Sequence, residues 1–286
     1  TNCIFTGNTA KHGGGMFNWA SSSPTLTGCT FENNTASISG GGMVNDNYSN
    51  PTLNTCTFTS NSADEHGGGM YNYDGSSPTL TACAFTNNTA DNDGGGMYNN
   101  QSDTTLNTCT FENNTADNDG GGMYNYDGSD SALTTCTFEN NTATTGGGGG
   151  MYNNSGSDSV LTTCRFENNI AQVKGGGIYN SDSSATLTDC IFTSNSADEH
   201  GGGMYNYDYS SPTLTGCTFK GNAAASGGAM FNYENSTPMI SQSGICDNSV
   251  PQIDGSFQDE GDNCIADSCL EIDIDDDGIL NCFDPC

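Results

Sequence analysis

Leu106-Asn107-Thr108-Cys109-Thr110-Phe111-Glu112-Asn113-Asn114-Thr115-Ala116, followed shortly by Gly120-Gly121-Gly122-Met123-Tyr124-Asn125, is the stretch that decides the fold. Cys109 and Phe111 are two apart, as are Met123 and Asn125, and residues two apart on an extended chain share a face. Leu106 stands three before Cys109, so a bend must fall between them if both point inward. Triple glycine among many Thr, Asn and Ser makes poor helix. Short strands joined by bends are expected.

The same pattern recurs along the chain. Cysteines stand at 3, 29, 56, 83, 109, 136, 164, 190, 217 and 246. The first nine are each followed two residues later by Phe, from Phe5 to Phe219. Three residues after each Phe comes Asn, from Asn8 to Asn222, and two further on Ala, from Ala10 to Ala224. A glycine run then precedes Met, or Ile178 once, and a second Asn follows two residues later, from Asn18 to Asn232. A repeat of this length that cannot bury its apolar face alone must stack on its neighbours. The reading is one coil per ~27 residues, stacked at the ~4.8 Å strand spacing, in a rod on the order of 45 Å long. Phe, Met, Leu and Ala columns would form a thin continuous core. Each Asn column would run a ladder of side-chain amides, because Asn has two donors and an acceptor. Glycines would serve tight bends or positive φ.

Composition agrees. Of 286 residues only 33% are hydrophobic, too few for one central core, and the formal charge is −30. Such numbers ordinarily mean disorder, but strict periodicity of the apolar residues argues otherwise. Four basic residues against 34 acids exclude nucleic acid and anionic membranes as natural partners and favour cations. No stretch approaches the ~18 apolar residues of a membrane span, so no membrane insertion is expected. No signal peptide is present, and Thr1 falls in mid-repeat, as in a processed or truncated chain. Asn33, Asn47, Asn87, Asn100, Asn113, Asn140, Asn153 and Asn235 lie in Asn-x-Ser/Thr sequons, which mean glycosylation or simply a chain rich in Asn and Thr.

Phe-x-x-Asn paired with Gly-Gly-Ala/Gly-hydrophobic, as in Gly227-Gly228-Ala229-Met230 and Gly175-Gly176-Gly177-Ile178, resembles the repeats of polymorphic outer-membrane proteins and the wider pectin-lyase-like superfamily. The resemblance covers about residues 1–250. With the repeat count setting nine to ten coils, it implies an all-β, right-handed parallel β-helix, extracellular or on a bacterial cell surface. It implies little about activity, since that scaffold hosts lyases, hydrolases and adhesins alike.

Residues 251–286 read as a separate, irregular Cys/Asp-rich tail. In-register cysteines of neighbouring coils would leave Cβ atoms near 4.8 Å apart, beyond the ~3.8 Å of a disulfide, so the periodic column is expected as buried, mostly free thiols. Cys264, Cys269, Cys282 and Cys286 lie off the period, where disulfides would staple a loop-rich segment in an oxidising compartment. Asp273, Asp275, Asp277, the carbonyl of Ile279, Asn281 and Asp284, with Gly278 at the turn, have the alternating oxygen spacing of a Ca2+ loop. Interleaved with Cys282 and Cys286, they resemble a thrombospondin type 3 calcium repeat. The departure from an EF-hand is Asp284 where Glu is usual, without flanking helices.

No catalytic residue is assigned. Glu112, Glu139 and Glu167 follow Phe in successive coils and are expected to stack outward as a solvated or calcium-bridged column. His66 and His200 occupy near-identical Asp-Glu-His-Gly segments five coils apart, roughly 24 Å, too far for one site. Tyr71, Tyr98, Tyr124, Tyr152, Tyr179 and Tyr205 follow Met and should point outward, either stacked on one another or as a strip for glycan or protein. The functional expectation is a structural or adhesive solenoid associating head to tail, with Cys246–Cys269 of one chain docking on Thr1–Phe5 of the next. The alternative is a polysaccharide-active enzyme or glycan-binding module on the same scaffold.

Overall fold

The computed structural model describes residues 1–269. Within them the chain is a parallel β-solenoid built of four sheets, each strand pairing with its equivalent one coil away. The Phe sheet has eleven strands, from Ile4–Thr6 to Cys264–Ala266. The Ala sheet has eight, from Thr9–His12 to Ser196–Ala197. The Met sheet has ten, from Met16–Asn18 to Ile253–Asp254, and the Leu sheet ten, from Thr25–Thr27 to Gln258–Asp259. Register is kept coil after coil: Phe85 pairs with Phe111 and Phe111 with Phe138, Leu106 with Leu133, Met97 with Met123.

The bend expected between Leu and Cys is present. Thr108 and Thr135, each just before a cysteine, have φ of 51° and 54°. A second corner lies two residues after Phe, where Asn113 and Asn140 have φ of 55° and 54°. Asn tolerates this left-handed conformation; a β-branched Thr does so only under strain.

Nine phenylalanines, Phe5 to Phe219, stack face to face along the axis with centroids 4.4–4.9 Å apart and planes within 4°. Phe31 to Phe219 are wholly buried, and beside them Met43 to Met230, Leu53 to Leu214 and Cys29 to Cys217 are buried as well. Each buried Phe stabilises by roughly 1.5–3 kcal/mol, a gain available only because the next coil covers it.

Both Asn columns are internal ladders. Asn114 Nδ2 donates to Asn141 Oδ1 at 2.9 Å and to the Phe85 carbonyl at 2.9 Å, and the Asn114 backbone N–H donates to the same Oδ1 at 3.0 Å. That pattern repeats from Asn8 to Asn248. The second ladder, Asn18 to Asn232, links Nδ2 to Oδ1 at 2.7–2.9 Å. A third, of serines, joins the Ser129 backbone N–H to Ser157 Oγ and that of Ser157 to Ser183 Oγ.

The triple glycine has two causes. Gly120 sits at φ 67°, a conformation other side chains adopt only under strain. Gly122 has an ordinary φ, but a Cβ there would lie 2.5 Å from the Gly150 carbonyl oxygen and 2.9 Å from the Phe138 ring. Only the first glycine of the run is there for its conformation; the third is there for close stacking.

Two boundaries differ from the sequence reading. Stacking does not stop at residue 250: Ile253–Asp254, Gln258–Asp259 and Cys264–Ala266 extend the Met, Leu and Phe sheets. The repeat signature disappears there while backbone pairing, which any side chain can supply, continues. Cys246 is also no member of the thiol column, being disulfide-bonded to Cys269 across a Cα–Cα distance of 5.2 Å. Cys29 to Cys217 remain free and buried, and Cys3 free and exposed.

Candidate functional site

The richest chemistry among the described residues lies on the outward face of the Met sheet. Each residue just before the glycine run starts the turn into that sheet, and stacking aligns these residues: His12, Ser39, His66, Asp93, Asp119, Gly147, Lys174, His200 and Ser226. Sequence reading singled out His66 and His200 but missed that Asp93, Asp119 and Lys174 share their column. Counting back from the first glycine finds them. As expected, the two histidines are separate, each with its own partners.

Alternation turns the residue after Met outward, as expected, yet most of these rings are buried. Tyr98, Tyr124, Tyr152 and Tyr205 are 2–7% exposed. They pack on one another with centroids 4.3–5.3 Å apart, edge-on at Tyr124–Tyr152 and Tyr179–Tyr205. Of the two arrangements expected, mutual stacking is the one present over the middle coils, where neighbouring rings take each other's faces. Burial, first of all, pushes the Tyr71 and Tyr205 hydroxyls up to about 12.

His66 lies over Tyr98, centroids 4.7 Å apart. Its Nδ1 stands 3.3 Å from an Asp93 carboxylate oxygen, off the line of a good hydrogen bond and otherwise without a protein partner. Asp119 accepts from the Gly147 N–H at 2.7 Å. Burial raises its carboxyl to about 6, which that hydrogen bond opposes and the neighbouring Asp93 reinforces. Lys174 Nζ is 5.0 Å from the centre of the Tyr205 ring, a cation–π contact. His200 stacks on Phe231 at 4.3 Å.

The remaining candidates fall elsewhere. Glu112, Glu139 and Glu167 stack in register on the outer face of the Phe sheet, as expected, and Glu167 engages Arg165 at 3.3 Å. A second acidic ladder, on the turn before the Leu sheet, has Asp103 accepting from the Asp130 N–H and Asp130 from the Asp158 N–H. The thiol column is buried and hydrogen-bonded to backbone carbonyls along its length. Cys109 Sγ reaches the Leu80 carbonyl at 3.7 Å, and Cys56 is held protonated, first by the adjacent Cys83 thiol and then by burial. Among the described residues no three His, Cys, Asp or Glu side chains converge as a metal site. Asp273, Asp275, Asp277, Ile279, Asn281 and Asp284 lie outside the described residues.

This geometry defines a class, the parallel β-solenoid with internal amide ladders. The family model for the right-handed β-helix region matches residues 1–138 and 96–269, and the chain belongs to that family. Comparison with curated proteins and with solved structures found no match.

Proposed function

We propose that this right-handed β-helix is a structural or adhesive solenoid working outside the cell, on a bacterial surface or in secreted material. Ladder continuity is the observation that carries the proposal. Phe, Asn and backbone columns run from coil to coil without a break, so specific side-chain bonding is invested along the axis. A rod that resists unwinding follows from such an arrangement. The Cys246–Cys269 disulfide supports an oxidising compartment. The charge of −30 supports a surface that repels its own copies laterally and attracts cations.

The proposal has two further parts. Residues 273–284 bind Ca2+ through Asp273, Asp275, Asp277, Asn281, Asp284 and the Ile279 carbonyl. Chains associate end to end, because the register that stacks one coil on the next is equally available between copies. Immunogold electron microscopy of the native source tests the reading. Label along surface rods or filaments is the expected result; label confined to the cell interior contradicts it.

A further inference from the structure

The outward column of the Met sheet runs Phe17, Val44, Tyr71, Tyr98, Tyr124, Tyr152, Tyr179, Tyr205, Phe231. Every position but one carries an aromatic ring. At Val44 the ring is missing, and a cavity of about 390 Å³ stands there, within the usual range for small-ligand sites. Val44, 3% exposed, forms its floor, with Phe17 on one side and Tyr71 on the other.

We propose that this notch binds one neutral pyranose ring of a glycan, sandwiched between Phe17 and Tyr71. The spacing suits it. Phe17 and Tyr71 are two coil steps apart, roughly 9.6 Å, while two face contacts near 4 Å each need about 8 Å. The polar rim narrows the chemistry further. Asp46, Glu65, His12 and His66 line the same cavity. A pyranose offers apolar C–H faces to the rings and hydroxyls to the carboxylates, whereas an aromatic side chain would stack but leave those acceptors unmet. Two carboxylates on a chain of charge −30 disfavour an anionic sugar. The Asp46 carboxyl is raised, first by burial and also by the nearby Asp74, and lowered by the Asn47 backbone and by His12. A hydroxyl donor compensates that lost hydration.

The duplicated segment provides an internal comparison. Asp198-Glu199-His200-Gly201 repeats Asp64-Glu65-His66-Gly67, yet Tyr179 fills the position there that corresponds to Val44. Acid and histidine are shared; the notch is not. The inference adds a binding activity to the structural reading and does not depend on it.

The test is saturation-transfer NMR on the full chain, with methyl β-D-glucopyranoside, methyl β-D-galactopyranoside and N-acetyltyrosinamide as probes. Transfer to the ring C–H protons of at least one glycoside is expected. Val44→Tyr, which restores the ladder, should abolish it without lowering the melting temperature. Phe17→Ala changes a half-exposed side chain and should weaken binding in a folded protein. Asp46→Asn should weaken it about tenfold, as loss of a charged acceptor does. Three results would overturn the site: no transfer from either glycoside, transfer that survives Val44→Tyr, or transfer from N-acetyltyrosinamide alone.

Discussion

Asn114 shows how one residue carries several loads. Its Oδ1 accepts from both the backbone and side-chain N–H of Asn88, while its Nδ2 serves Phe85 and Asn141. Asn114→Ala strands these groups inside the rod and is expected to cost about 1–3 kcal/mol, measured by urea unfolding. A variant that unfolds with the parent contradicts the ladder. The sequons have the same origin. In Asn113-Asn114-Thr115 the first Asn holds the exposed corner, the second the ladder and Thr the next strand, so structure alone writes the motif. Asn153, in another sequon, is buried in the second ladder. Asp119 supplies a pH prediction. Its proton binds with a pKa of about 6 in the folded chain against an ordinary 3.8, so the folded state holds it more tightly. That contribution is complete below pH 3.8 and lost as pH rises through 6. Asp119→Asn mimics the protonated acid and keeps an acceptor for Gly147. It should stabilise by on the order of 3 kcal/mol above pH 7 and leave stability nearly unchanged near pH 3.5, read from melting curves at both values.

At the scale of the element, legibility followed side-chain period. Cys109-x-Phe111 and Met123-x-Asn125 announced inward faces because alternation has one outcome on a strand. The bend at Thr108 was legible from the Leu-to-Cys interval, although Thr is a poor residue for φ 51°. The serine ladder and the Asp93–Asp119 column were not, because Ser and Asp are also ordinary turn residues and their alignment exists only once coils stack. Burial of the Tyr faces was hidden for a related reason: the rings cover one another only once the coils stack. The thiol column makes a direct prediction. Among the described free cysteines only Cys3 is exposed, so a thiol reagent should modify Cys3 in the native protein and Cys29 to Cys217 only after unfolding. Rapid native modification of a middle cysteine contradicts the core. For the C-terminal segment, chelator-treated protein should take up Ca2+ in calorimetric titration, while chelation leaves the β-sheet circular dichroism unchanged. Absence of binding heat removes the calcium proposal.

Across the whole molecule, the architecture is one dimensional. Each coil contacts its neighbours and buries a thin core with them, so stability should accumulate coil by coil instead of residing in one centre. The notch at Val44 and the disulfide at Cys246 are departures from the repeat, and both were hard to see beneath nine similar copies. The central claim is that interchangeable, in-register coils hold the rod together, and removing one whole coil tests it most directly. Deleting residues 109–135 joins Thr108 to Cys136, and Thr108 and Thr135 occupy the same corner in successive coils. Urea unfolding followed by circular dichroism should show a soluble β protein with a single cooperative transition at a slightly lower midpoint and its remaining middle thiols still protected. Deleting only half a coil, residues 109–121, breaks the register and should abolish folding. A one-coil deletion that aggregates or loses its cooperative transition, or a half-coil deletion that folds like the parent, would contradict the account.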